Sequence, residues 1–128
     1  MKLNEYQDAA MDFAITQDIE TNVSHFGFGL VAEAGEVATI FQKYFRGDER
    51  YNDPDFWGDT TPVDFNDWDT FTPEARAMVE KELGDVLWHV AALADSFGLS
   101  LEDVAQTNLK KLRKRRDEGK LRGDGDNR

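Results

Sequence analysis

Two short strings in separate parts of the chain, EAGE at 33–36 and ELGD at 82–85, constrain it more than anything else in the sequence. Each reads acid, apolar, glycine, acid, and each lies inside a long stretch whose apolar residues recur at helical spacing. Acids three apart stand on neighbouring turns of one helical face. On a wheel of about 100° per residue, Glu33 falls beside Ile40, Val37 and Tyr44, within the apolar arc, and Glu36 lies about 60° further round. Glu82 flanks Leu93 and Val86 in the same manner, with Asp85 about 60° beyond it. Two helices therefore turn a carboxylate pair towards the edge of a buried seam.

The rest of the pattern supplies the helices. Leu3, Tyr6, Ala10, Phe13 and Ala14 predict a first helix over about 3–19. Leu30, Val37, Phe41 and Tyr44 predict a second over about 24–45, with Gly47 as its stop. Thr72 as N-cap, Pro73 at the first position and Glu74 in the first turn open a third, which ends before Gly98. Ser100 with Asp103 three residues on starts a fourth, through about Arg116. No segment alternates as a strand should. The reading is an all-α single domain over 1–128, a four-helix-type bundle with a long acidic aromatic loop at about 48–71 and an irregular tail at about 117–128. The loop carries Tyr51, Phe56, Trp57, Phe65, Trp68 and Phe71. So many aromatics rarely stay in water, and docking on the body is expected. Mid-helix glycine is unfavourable by about 1 kcal/mol relative to alanine. Gly35 and Gly84, at matching places, therefore predict close helix approach beside the acids. Helices of this size leave apolar surface, so a homodimer or homotetramer is expected.

Composition narrows the chemistry. The chain holds no cysteine, which excludes disulfides and thiolate metal sites. A net charge of −11 argues against a nucleic-acid polymer as partner. No apolar run reaches membrane length and the opening residues lack a signal-like core, so a soluble, cytoplasmic protein is expected. The charge is uneven: residues 109–128 hold 9 Lys/Arg against 4 acids, and the remainder 6 against 22. The basic end suits either an anion or the acidic body itself.

Several carboxylates meeting in a low-dielectric place repel, and either protonation or a cation must relieve them. With hard oxygen donors and no sulfur competitor, the implied ion is Mg²⁺, or Mn²⁺. Such a site can grip a polyphosphate and orient water for attack on phosphorus.

GLVAEAGEVA followed by KELGDVLWHVAALADSFGLSLEDVAQTNLKKLRKR resembles the MazG-like nucleoside triphosphate pyrophosphohydrolases, of the all-α NTP pyrophosphatase group. The resemblance covers most of residues 1–116. Its hallmark, ExxE followed by ExxD, falls on Glu33, Glu36, Glu82 and Asp85. It implies hydrolysis of a nucleoside triphosphate to monophosphate and pyrophosphate, Mg²⁺ on those four acids, and a dimer or dimer of dimers. A lysine after the first motif and an Asn-x-x-Lys on the last helix fall on Lys43, Asn108 and Lys111, with Arg115 one turn on, and imply contact with the phosphates. Glu36 is taken as the base that accepts the proton of the attacking water. One departure is the 45-residue separation of Glu36 from Glu82, longer than is usual in the family.

Lesser candidates are His89, on the side of Glu82 and Asp85, and His25 with Phe26 before the first motif. Trp88 lies almost opposite the acids and is read as packing. Arg122 and Arg128 of the tail are candidates to close over substrate. A ferritin-like di-iron bundle needs Glu-x-x-His on two helices, and this chain has Val86 before His89 and Asn22 before His25. A non-catalytic helical interaction module that retains a nucleotide site is the standing alternative.

Overall fold

The computed structural model describes residues 1–15, 17–51 and 71–120. These form four helices, α1 (Leu3–Met11), α2 (Ile19–Phe45), α3 (Pro73–Ser96) and α4 (Leu101–Asp117), and no strand among the described residues. The all-α expectation holds. Two compact units are distinguished, Met1–Val23 with Ala91–Arg128, and Ser24–Val90.

The boundary between the first two helices differs from the expectation. A single helix over 3–19 does not form: α1 stops at Met11 and α2 begins at Ile19, five residues earlier than its apolar spacing implied. The reason is local. Asp18 accepts hydrogen bonds from the Thr21 amide at 3.0 Å and the Thr21 hydroxyl at 2.8 Å, while the Gln17 amide donates to Asn22 Oδ1 at 2.8 Å. These side chains satisfy helix-start donors, so the chain nucleates anew here. The two bonds from Thr21, its amide first, hold the Asp18 carboxyl below its ordinary range.

The other ends follow their chemistry. Thr72 Oγ1 accepts from the Ala75 amide at 3.0 Å, as an N-cap should. Ser100 Oγ accepts from the Asp103 amide at 3.2 Å and starts α4. Gly47 and Gly98 take φ values of +77° and +64° just past α2 and α3, a conformation that side chains with a Cβ resist.

In the first unit, α1 is tied to the start of α4 through side-chain amides. Gln7, 6% exposed, donates to the Leu99 carbonyl at 2.9 Å and accepts from the Leu101 amide at 2.7 Å. Asn4 Oδ1 accepts from Ser100 Oγ and from the Glu102 amide, both at 3.0 Å. The α4 donors that have no partner within the helix are thus satisfied by another helix.

In the second unit, α2 and α3 run antiparallel. At one end Phe26, fully buried, meets Trp88 edge-on at 5.6 Å. At the other, Ile40, Tyr44, Tyr51, Phe71 and Ala75 form a buried cluster, with Phe41, Met78 and Val79 packed against it. Tyr44 and Phe71 stack at 4.1 Å. Tyr51 and Phe71 therefore dock as expected of the loop aromatics; Phe56, Trp57, Phe65 and Trp68 lie outside the described residues, as do Arg122 and Arg128.

The glycine expectation is overturned. Among the described residues, a Cβ added at Gly35 or Gly84 would meet nothing within 4 Å, whereas one at Gly29 would overlap the His89 imidazole. The close approach of the two helices is at Gly29, one turn before the first acid.

Two outcomes follow. Gln7→Leu leaves the Leu99 carbonyl and Leu101 amide unpaired and should lower the unfolding free energy by about 2 kcal/mol or more, read from urea midpoints at constant slope. Gly35→Ala and Gly84→Ala should each raise it, by up to about 1 kcal/mol, since they add helix propensity into open space. A loss in either would show that another surface packs against that glycine.

Candidate metal centre

Antiparallel pairing decides which acids meet. Glu33 sits on α2 one turn beyond Gly29, and Glu82 and Asp85 sit on α3 before His89. Contact between Gly29 and His89 at one end and between Tyr44 and Phe71 at the other brings the middle of each helix opposite the middle of its partner. One carboxylate oxygen from each of Glu33, Glu82 and Asp85 lies within 4.8 Å of the other two. The two strings that stood out in the sequence do face each other, within one chain.

Glu36 is not in that three-acid group. It stands one turn along α2 and is exposed, as its place on the wheel implied. It is nevertheless electrically part of the site through Lys81, whose ammonium donates to Glu82 Oε1 at 3.0 Å and lies 3.8 Å from Asp85 Oδ2. The hydrogen bond to Glu82, and after it the charges of Glu82, Asp85 and Glu36, hold that ammonium above the usual lysine range. Lys81 is 72% exposed in its side chain, so these contacts are open to solvent and easily exchanged.

Sequence reasoning passed over Lys81, although its position directly before Glu82 and four residues before Asp85 is a helix-pair signal. Its ammonium is informative: a cation already occupies the mouth of the acid group. Three convergent carboxylates with no sulfur or clustered imidazole suit a hard divalent ion of the Mg²⁺ or Mn²⁺ kind.

His89 is buried, at 9% exposure, with Nε2 3.8 Å from Glu33 Oε1. Its Nδ1 is buried with no hydrogen-bond partner among the described residues. His25 packs against Phe26, ring centroids 5.2 Å apart, and Trp88 packs on the same phenylalanine.

The basic candidates divide. Lys43, half-buried on α2, donates to the Tyr51 hydroxyl at 3.2 Å and lies 5.4 Å from that ring's centroid. It is seven residues beyond Glu36, roughly 10 Å along the helix. Asn108, Lys111 and Arg115 lie on α4, in the first unit, at spacings that give them one face. Asn108 and Lys111 are exposed, but Arg115 is buried at 6%. The basic stretch is therefore not a uniformly solvated helix end.

Residues 21–119 match the MazG nucleotide pyrophosphohydrolase domain. Gene 37 protein of Mycobacterium phage L5 is 38% identical over the full length of both chains. The uncharacterized protein YvdC of Bacillus subtilis (strain 168) is 35% identical over 86 residues, 67% of this chain and 68% of that protein. No solved structure gives a significant match. The match spans both acid pairs, α3 and α4, and on that ground the chain belongs to the MazG nucleotide pyrophosphohydrolase domain family.

Proposed function

We propose that the chain is a Mg²⁺-dependent nucleoside triphosphate pyrophosphohydrolase, converting an NTP or dNTP to the monophosphate and pyrophosphate. The observation that carries this reading is the convergence of Glu33, Glu82 and Asp85 within 4.8 Å, on two helices of a MazG-family chain.

Glu33, Glu36, Glu82 and Asp85 are the residues that would hold the ion. When bound, Mg²⁺ (or Mn²⁺) supplies charge neutralisation and polarises phosphoryl oxygens. The remaining work belongs to the side chains. Glu36, exposed and one turn from Glu33, accepts the proton of the attacking water. Lys43, steadied by Tyr51, and Asn108, Lys111 and Arg115 hold the phosphate chain and take up charge on the departing pyrophosphate. Lys81 supplies countercharge to the acids from the solvent side.

Self-association is part of the same reading. Phe28 and Val31 on α2 and Leu83 and Leu87 on α3 are exposed large apolar side chains at helical spacing, a surface suited to a second copy in a homodimer or homotetramer. Among the described residues no helix is long and apolar enough to cross a membrane, and a cytoplasmic setting agrees with a nucleotide substrate.

A panel of NTPs and dNTPs incubated with Mg²⁺ should yield monophosphate plus pyrophosphate, abolished by chelation and restored by added metal. Glu36→Gln should lower kcat on the order of 100-fold or more if that carboxylate is the base. Diphosphate plus phosphate as products would move the attack to another phosphorus. Nucleotide binding without turnover on any substrate would favour the non-catalytic module instead.

A further inference from the structure

His89 has no role in the scheme above, yet it is buried and closely packed. The imidazole is seated on Gly29, where even a methyl group would overlap it, and Phe26 lies one turn earlier on the same face of α2, its ring 6.4 Å away. Glu33 follows one turn later. Phe26, Gly29 and Glu33 thus form a single α2 face, and the histidine from α3 is inserted into it.

The two ring nitrogens have different surroundings. Nδ1 is buried without a partner, and Nε2 looks towards Glu33 Oε1 across 3.8 Å. A neutral imidazole carries one donor and one acceptor. A proton on Nδ1 would bury an unpaired donor and leave the Nε2 lone pair facing a carboxylate. A proton on Nε2 removes the repulsion and aims a donor at the carboxylate, leaving Nδ1 as a buried acceptor rather than a buried donor. The separation of 3.8 Å exceeds a direct hydrogen bond, so the donor is aimed at the Glu33 carboxylate rather than bonded to it.

Resting on the metal-dependent reading above, we propose that His89 is a positioning residue: its Nε2–H, fixed by the Gly29 seat, keeps the Glu33 carboxylate turned into the acid group and lowers the cost of holding three carboxylates together. His89 touches neither substrate nor ion in this scheme. It acts through Glu33, as groups behind metal-binding side chains commonly do.

The test measures Mn²⁺ affinity of the full chain without nucleotide, by electron paramagnetic resonance of free Mn²⁺, with urea unfolding run on every variant. His89→Leu fills the seat without a donor and should weaken Mn²⁺ by about 10-fold or more. His89→Gln carries its terminal amide near the Nε2 position and should restore most of that affinity; His89→Asn, whose amide lies nearer the Nδ1 position, should not. Gly29→Ala, which leaves all four acids and the histidine intact, should weaken Mn²⁺ to a similar extent by displacing the ring. Wild-type affinity in a folded His89→Leu protein would overturn the proposal. So would equal losses in folded His89→Gln and His89→Leu, which would make the residue a packing element only. If the unaltered chain binds no Mn²⁺, the metal reading itself falls, an outcome separate from any difference between variants.

Discussion

Three carboxylates held within 4.8 Å of one another repel, and the second unit is arranged around that repulsion. Like charges at such distances oppose each other by roughly 1 to 4 kcal/mol per pair, depending on how much water screens them. Nothing within the acids overcomes this. The pairing of α2 and α3 is maintained on either side of them, by Phe26, Gly29, Trp88 and His89 at one end and by the cluster of Ile40, Tyr44, Tyr51, Phe71 and Ala75 at the other. Burial of a single phenylalanine contributes about 1.5–3 kcal/mol, so two apolar clamps suffice to hold a strained middle. Lys81 answers part of the repulsion from the solvent side, and His89 faces it from the buried side.

That division explains how each flank is built. The flank nearest the chain's start must place a polar ring close to a backbone, which only glycine allows at position 29. The other flank is aromatic and broad, and can also hold Lys43 through Tyr51. Glu33 of the acid group and a candidate phosphate-holding lysine thus share one helix, α2, with their spacing set by helical rise rather than by a loop.

Much of this was legible in the sequence because it is local. Acids three apart on an apolar stripe, a Thr-Pro-Glu start and a Ser-x-x-Asp start are patterns within a few residues, and Glu33, Glu82, Asp85, Thr72 and Ser100 behave as those patterns imply. What escaped were relations between distant residues. Gly35 and Gly84 drew notice because they sit inside the acid strings, but the glycine that matters is Gly29, and only its encounter with a residue sixty positions away reveals it. The break between α1 and α2 was hidden because Phe13 and Ala14 continue the apolar period, while the caps at Asp18 and Asn22 override it. The burial of Arg115 within a run of exposed basic neighbours has no counterpart in the one-dimensional pattern.

The ends of the long α2–α3 connection are themselves pinned. Tyr51 and Phe71 share one core, and the Thr72 amide donates to the Tyr51 carbonyl at 3.4 Å. Whatever joins positions 51 and 71 therefore enters and leaves through a fixed gate, and the register of the acids is settled before the connection begins. Closing a loop twice as long adds only about 0.6 kcal/mol of chain entropy. The unusual distance along the chain between the two motifs is then no burden on the acid group: length can be added or removed between these two anchors while the carboxylates stay where they are.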